Sequence, residues 1–360
     1  MSSLNRFRRG ATVALAIGAV AAVATGCAGT ASAGDASSGS DEAAISGQIV
    51  WADFGGPTNE SRQVAYFDGF GDDTGVDVVS SSIEDAIYYP MLEGEGGDYD
   101  VFQVSTADIL AYPDHIQEIP EEARGDLIDD TLSPYVVGGF YIGIGQGWLT
   151  DTFADGGPQD WVDFFDTEKY PGKRAWPGSP GFFDGSYEIA LLADGVAPED
   201  LYPLDLDRAT AKLNTIRDDL VFYQSYPEVQ QLLSSGSASI AVSVTGQFKA
   251  LQNSGLDVTV QWNQAFQALN GFVIPEKSSN PDAVKALAAW INDPENQAVF
   301  TERTGYGPVN SAVFDVISEE VAANVVNSPE HADGLLQWNE QWRADNKDLL
   351  IDSYTAWLAG

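Results

Sequence analysis

Segments typical of β-strands alternate with segments typical of helices along most of this chain, and this alternation constrains the fold more than any other feature. Residues 48–54 are rich in β-forming side chains and stop before a Gly-Gly-Pro turn, after which residues 59–73 carry apolar side chains at helical spacing. Residues 76–80 and 100–104 repeat the strand pattern. Such alternation is typical of α/β proteins with mainly parallel sheets flanked by helices, and we predict that class.

The later part of the chain continues the same pattern. The predicted strands are short apolar runs bounded by Gly, Pro or polar residues: 141–144, 173–176, 239–244, 257–262 and 271–274. The predicted helices have amphipathic spacing or clear start signals: 186–193, 206–217, two that begin with Pro after Asn280 and Asp293, 335–342 and 349–358.

The N-terminus has the pattern of an export signal. Arg6, Arg8 and Arg9 precede an uncharged apolar stretch, residues 11–25, which is shorter than the roughly 20 residues needed to cross a bilayer. Small residues then lead to Cys27, as in bacterial lipoprotein signals that are cut before the cysteine. We therefore predict a signal peptide over residues 1–26 and a lipid anchor on Cys27, at the outer face of the cytoplasmic membrane.

Residues 27–47 are predicted to be the lipidated cysteine and a flexible tether, because they contain little apolar mass to bury. A flexible chain of that length spans roughly 25 Å, which keeps a globular body close to the membrane. The remainder is long enough for about two domains. Cys27 is the only cysteine, so the sequence excludes an intramolecular disulfide and a thiolate metal cluster.

The formal net charge of −37 excludes nucleic acid as a partner, because such a field repels phosphates. Two histidines, His115 and His331, lie in turn-like segments without a catalytic motif, and no phosphate-binding loop is present. We therefore predict that the protein is not an enzyme and needs no cofactor or metal. A lipid-anchored glycan-active enzyme or adhesion module stays open as an alternative, since acidic residues are abundant.

Three segments together resemble a known family. They are the strand Asn270-Gly271-Phe272-Val273-Ile274-Pro275, the helix start Asn280-Pro281-Asp282, and the loop Gly305-Tyr306-Gly307-Pro308-Val309-Asn310. In that order, they make the chain similar to the spermidine/putrescine-type solute-binding proteins of ABC importers, over nearly all of residues 48–360.

The resemblance implies a type II-like periplasmic-binding-protein fold, in which two mainly parallel sheets flanked by helices form two lobes with a hinge between them. Carried over, lobe 1 comprises residues 48–146 plus 271–316, and lobe 2 comprises residues 147–270 plus 317–360. The resemblance also implies a small-molecule solute, capture by hinge closure, delivery to ABC permease subunits in the membrane, and action as a monomer.

Family ligand contacts map onto a few positions in this sequence. Phe54 corresponds to an aromatic residue at the end of the first strand, with core packing as the alternative. Ser105 and Thr106 correspond to a contacting loop, with helix capping as the alternative. Tyr306 corresponds to a family tyrosine that can stack and donate a hydrogen bond.

The mapped positions also depart from the family. Asn270 stands where polyamine binders have an Asp that pairs with an amine, while Ala268 and Val244 stand where they have aromatic residues. Asp184, Glu188 or Asp53 could supply the missing carboxylate. The aromatic walls could be rebuilt by other residues: Trp176, Phe182, Phe183, Trp262 and Phe266. The predicted solute is thus a polyamine-like cation, with a neutral sugar, polyol or other small solute as the alternative.

Overall fold

The computed structural model describes residues 45–124, 126, 132–153, 156–179 and 185–360. The predicted signal peptide, Cys27 and most of the tether lie outside the described residues, as do Asp184 and the pair Phe182 and Phe183. The described residues form one compact unit. Among the described residues, none of the helices combines the length and the apolar character that crossing a membrane requires.

The described strands number eleven: β1 (Gln48–Asp53), β2 (Asp77–Ser82), β3 (Val101–Ser105), β4 (Ile116–Gln117), β5 (Gly138–Leu149), β6 (Arg174–Pro177), β7 (Leu220–Tyr223), β8 (Ile240–Val244), β9 (Val258–Pro275), β10 (Gly307–Pro308) and β11 (Leu336–Gln337).

The described α-helices cover the sheet: α1 (Gly56–Arg62), α2 (Asp68–Thr74), α3 (Asp85–Leu92), α4 (Thr106–Ala111), α5 (Trp161–Phe165), α6 (Ser186–Ala193), α7 (Leu206–Asn214), α8 (Glu228–Ser234), α9 (Thr245–Asn253), α10 (Pro281–Ile291), α11 (Pro294–Thr304), α12 (Glu319–Ala322), α13 (Glu340–Asp345) and α14 (Lys347–Ala359). A π-helical segment, Gln63–Phe67, joins α1 to α2.

The main strands are hydrogen-bonded in the order β2-β1-β3-β9-β5-β8-β6-β7. The outer groups, β2-β1-β3 and β8-β6-β7, are parallel, whereas β9 and β5 run antiparallel to their neighbours. The predicted α/β class is therefore confirmed. The two parallel groups are joined into one path, because β5 and β9 are long enough to pair with strands of both groups.

Both faces of the sheet are buried. Successive residues of β9 enter different apolar clusters, with Phe272 packed beside Trp51 and Val273 in the cluster of Phe102. Since neighbouring residues of a strand point to opposite faces, helices and loops must cover both sides of the sheet.

Some predicted elements differ from the observed ones. The two strands predicted over residues 257–262 and 271–274 are one strand, β9, because the intervening residues stay paired with β5. The helix predicted over residues 335–342 is wrong in its first part, where β11 pairs with β9 and α13 begins only at Glu340. Both errors have one cause, since pairing with a distant strand overrides the local pattern.

Candidate functional site

The carboxyl ends of the parallel strands meet around β5 and β9. The end of β3, Ser105, lies opposite Asn270 of β9. The end of β8, Val244, is aligned with Phe266 of β9 through the intervening strand β5. Residues 266–270 therefore span the gap between the strand ends, about 13 Å at about 3.3 Å per residue. Ligands of open α/β sheets bind beyond such ends, and we call this surface the candidate cleft.

The floor of the candidate cleft carries no charge. Ile142 of β5 lies opposite Ala268 of β9, and both side chains are only partly buried. Ala268 and Asn270 are two residues apart in β9, so they share one face of the strand. The amide oxygen of Asn270 accepts a hydrogen bond of 3.1 Å from Gln103. The floor thus offers apolar surface and one amide, without the carboxylate that polyamine binders place there.

Phe54 lies in the loop between β1 and α1, and 77% of its surface is exposed. This exposure excludes core packing, the alternative reading of Phe54. Asp53 stabilises this loop, because its carboxylate accepts hydrogen bonds from Gly55 N, Asn59 and Arg62. Asp53 and Arg62 form a buried ion pair of 2.6 Å. The Asp53 carboxylate is therefore already used to stabilise the loop, whereas the exposed Phe54 ring is available to contact a solute.

Ser105 and Thr106 join the end of β3 to α4. The Ser105 hydroxyl accepts a hydrogen bond from Asp108 N while the Asp108 carboxylate accepts one from Ser105 N, which is a capping box. Thr106 Oγ1 donates to Leu269 O at 3.3 Å. The predicted helix cap at Ser105 is confirmed. Ser105 and Thr106 lie beside the floor of the candidate cleft, so contact with a solute stays a prediction.

Tyr306 lies between the two parallel groups. Its ring packs on Phe140 of β5 at 4.9 Å, and Thr58 of α1 lies near its hydroxyl. A Cβ added to Gly246, in the first turn of α9, would lie 2.8 Å from the Tyr306 hydroxyl. Burial raises the pKa of Tyr306 even though the charge of Arg62 opposes the shift. The phenol therefore stays protonated and can donate a hydrogen bond at the start of α9.

Glu188 is buried on α6, and its carboxylate already has partners. Tyr202 donates a hydrogen bond of 2.8 Å to it, and Arg343 forms an ion pair with it. The Arg343 guanidinium in turn lies 5.1 Å from the centre of the Trp338 ring. Because a buried charge without its partner is strongly destabilising, we expect the Glu188 carboxylate to stay paired with Arg343. A contact between Glu188 and a solute stays a prediction, and Asp184 lies outside the described residues.

Glu340 is a site candidate that the sequence did not reveal. It begins α13, which packs against α4 at the end of β3. Burial raises the pKa of Glu340, and although Arg343 lowers it, the charges of Glu188 and Asp108 raise it further. Within the described part of the chain, the Glu340 carboxylate accepts no hydrogen bond and forms no ion pair. No sequence signal distinguished Glu340 from the other acidic residues, since only tertiary packing desolvates it.

The aromatic walls proposed from the sequence are mostly elsewhere. Trp176 and Phe266 are wholly buried in the core between β6, β8 and α6, so neither can line the cleft directly. Trp262 stacks on His331 at 4.6 Å. Trp338 stacks on Phe266 at 5.5 Å, and within the described part of the chain its buried indole N–H has no hydrogen-bond partner. Phe266 lies on the same face of β9 as Ala268, but the stacked Trp338 ring and the surrounding core residues cover it.

The two histidines are placed as predicted, in single-turn segments that end at His115 and His331. His115 contacts Glu276 at 3.2 Å, and His331 Nδ1 lies 2.9 Å from Val325 O. Neither is joined to a serine nucleophile in the described residues. Over the same residues, no group of three or more His, Cys, Asp and Glu side chains could hold a metal ion.

Comparisons with known proteins agree with this geometry. The family model of bacterial extracellular solute-binding proteins matches residues 65–331. A γ-aminobutyric acid (GABA)-binding protein of Pseudomonas aeruginosa is 26% identical over 328 residues, which cover 88% of this chain and 92% of the relative. The predicted spermidine/putrescine type is not confirmed, because this relative binds a different solute.

Solved structures give the same result. A GABA receptor structure is 30% identical with a TM-score of 0.75, covering 86% of this chain and 97% of that chain. An ABC transporter substrate-binding protein of Bradyrhizobium japonicum is 27% identical with a TM-score of 0.75, covering 86% of this chain and 99% of that one. Because the family match extends over most of the chain and the fold agrees, this chain belongs to the bacterial extracellular solute-binding protein family.

Proposed function

We propose that this protein is the extracytoplasmic substrate-binding lipoprotein of an ABC importer, and that its solute is a small molecule with one ammonium group, of the GABA type. It captures the solute in the candidate cleft, returns it chemically unchanged, and delivers it to the permease. The lipid on Cys27 keeps it at the membrane, and it acts as a monomer.

The observation that carries this proposal is the unpartnered carboxylate of Glu340. The Glu340 side chain is partly buried, and a carboxylate that loses water without gaining a partner is unfavourable. Asp108 adds a second negative charge nearby. An ammonium group placed against Glu340 would remove that cost. Hydrogen bonds to charged groups contribute about 1.5–3 kcal/mol, which corresponds to a roughly 10- to 150-fold change in affinity.

A single ammonium fits this cleft better than a polyamine. A polyamine presents two or more cations, and each needs an anion when it is buried. Of the other acidic residues that border the described cleft, Asp53 and Glu188 are already paired with Arg62 and Arg343. The Asp108 carboxylate already accepts hydrogen bonds from Ser105. The floor position that would hold another carboxylate is Asn270. GABA, the solute that two relatives of this chain bind, carries one ammonium group.

Isothermal titration of the protein from Gly47 onward tests the solute. We expect GABA to bind and sorbitol to fail, with putrescine weaker than GABA. Glu340→Gln removes the charge with little change of shape, so GABA affinity should fall at least tenfold.

Glu319→Gln is the matched control, because Glu319 is an exposed glutamate in the first turn of α12. It should leave GABA affinity unchanged. Binding of sorbitol but not of any amine would contradict the proposal, and putrescine binding tighter than GABA would favour the polyamine alternative.

The lipid anchor has a separate test. Cys27→Ser should release the protein from the membrane fraction or leave it uncleaved, because no other thiol can take the lipid. If the variant is cleaved at the same bond and stays with the membrane, the anchor assignment is wrong.

A further inference from the structure

The helix α9 begins at the candidate cleft without a side-chain cap. It runs from Thr245 to Asn253, and its N-cap residue is Val244, which has no side chain that could accept a hydrogen bond. The first-turn N–H groups of Gly246 and Gln247 find no acceptor within the described residues. Such a helix start carries a partial positive charge and binds anions through its free N–H groups.

A buried hydroxyl without a partner lies in the same turn. Thr245 is only 3% exposed, and its Oγ1 makes no hydrogen bond to any residue that the structure describes. The methyl carbon of Thr245 packs against Gly143 of β5. A Cβ added to Gly143 would lie only 2.8 Å from that methyl carbon. Buried hydroxyls in native proteins are nearly always hydrogen-bonded, so an exception needs an explanation. A bound anion would supply the missing acceptor.

Tyr306 and Arg62 add hydrogen-bond donors near this place. The Tyr306 hydroxyl end packs directly against Gly246, so a second donor is available there. The guanidinium of Arg62 is close enough to Tyr306 to influence its ionisation. Arg62 uses Nη1 to bind Asp53, while its buried Nη2 has no hydrogen-bond partner among the described residues. Asp53 balances the charge of Arg62, so Arg62 adds a hydrogen-bond donor here and no net charge.

We propose that the first turn of α9, the Thr245 hydroxyl and the Tyr306 phenol form the subsite for the carboxylate of the solute. The inference rests on the proposed function and deepens it. The solute is then a zwitterion whose two charges are separated by a flexible apolar chain, with the ammonium at Glu340 and the methylene groups over Ile142 and Ala268. Thr245 and Tyr306 are specificity-determining residues for amino acids over amines.

The test compares GABA with 4-aminobutan-1-ol, which keeps the ammonium and the chain length but replaces the carboxylate by a hydroxyl. Titration of the wild type should show GABA binding at least tenfold tighter. Thr245→Val keeps the methyl contact above Gly143 and removes only the hydroxyl, so it should weaken GABA roughly tenfold and leave 4-aminobutan-1-ol unchanged. Tyr306→Phe should act in the same direction.

Ser243→Ala is the matched control, because Ser243 is also a buried hydroxyl without a partner, two residues earlier in β8 and outside the helix. It should not change GABA affinity, and Thr245→Ser should retain it. Thermal unfolding of each variant verifies that it is folded. Equal wild-type affinity for the two solutes, with both still dependent on Glu340, would overturn the carboxylate subsite and leave the proposed function standing. Failure of both solutes to bind would overturn both.

Discussion

At the scale of single residues, the carboxylates that packing removes from water, wholly or in part, divide into two kinds. Asp53 and Glu188 are each held by an arginine, so their charges are balanced inside the fold. Glu340 lacks such a partner within the described residues, and its carboxylate is desolvated beside other acids. A residue kept for binding lowers the stability of the solute-free protein. The stability of Glu340 variants is therefore a test of the proposed contact between Glu340 and the solute.

Glu340→Gln should raise the stability of the solute-free protein at neutral pH. Burial raises the pKa of Glu340, so the folded state binds this proton more tightly than the unfolded state does. The contribution of Glu340 to the free energy of unfolding is therefore most favourable below the pKa that Glu340 has in the unfolded chain, about 4.3. That contribution is lost as the pH rises through the higher pKa that Glu340 has in the folded state. The gain in Tm from Glu340→Gln should accordingly be larger at pH 7 than at pH 4. An equal or smaller gain at pH 7 would show that Glu340 is solvated or paired.

Asp53→Asn should be strongly destabilising, because it leaves Arg62 buried without its anion. Breaking a buried pair in this way costs about 3–5 kcal/mol, which urea denaturation can measure. Asp194→Asn is the control, since it breaks an exposed pair with Arg208 and should cost about 1 kcal/mol or less. Similar losses for the two variants would argue against the buried pair as the anchor of the Phe54 loop.

At the scale of elements, β5 and β9 decide how the two parallel groups are connected. The pairing of β5 with β9 shifts register between Ile144 and Gln146, close to Gln264. Gln264 has φ +62°, in the left-handed region. Both its backbone N–H and its backbone carbonyl are hydrogen-bonded to other segments. Its N–H donates to Gly334 O at 2.7 Å, while its carbonyl accepts from Trp161 Nε1 at 2.9 Å. The irregular point of β9 is therefore fixed by its neighbours.

Gln264→Val should destabilise the protein by about 2 kcal/mol, because a β-branched residue fits the left-handed region poorly. Gln264→Gly should stay within about 1 kcal/mol of the wild type, since glycine adopts this conformation without steric cost. Both values follow from urea denaturation. Equal stability of the two variants would show that the kink is not enforced at this residue.

At the scale of the whole molecule, the two parallel groups are joined through β5 and β9 and also touch through helices. The contacts are those of α13 with α4 and of α11 with α9. Glu340 and Asp108 lie at the first contact, while Tyr306 and Gly246 lie at the second. A solute that binds at these places would link both groups, which is how a hinged binding protein closes.

Small-angle scattering should therefore show a smaller radius of gyration when GABA is added, and GABA should be recovered unchanged after incubation. The division into lobes at residues 146 and 270 is itself a prediction, and it falls within β5 and β9. Binding without any change in the radius would argue against hinge closure, and recovery of an altered solute would argue for an enzyme.

The sequence by itself determined the α/β class, because alternating strand and helix patterns are local. It also located local signals such as the Ser105 cap and the Pro-led starts of α10 and α11. The resemblance placed Tyr306 and Asn270 near the cleft. Only the tertiary structure decided that β9 is one strand and that Glu188 pairs with Arg343. It also decided that Glu340 and Thr245 lack partners among the residues it describes. These features depend on contacts between residues far apart in the chain, and local sequence patterns do not encode the desolvation that such contacts produce.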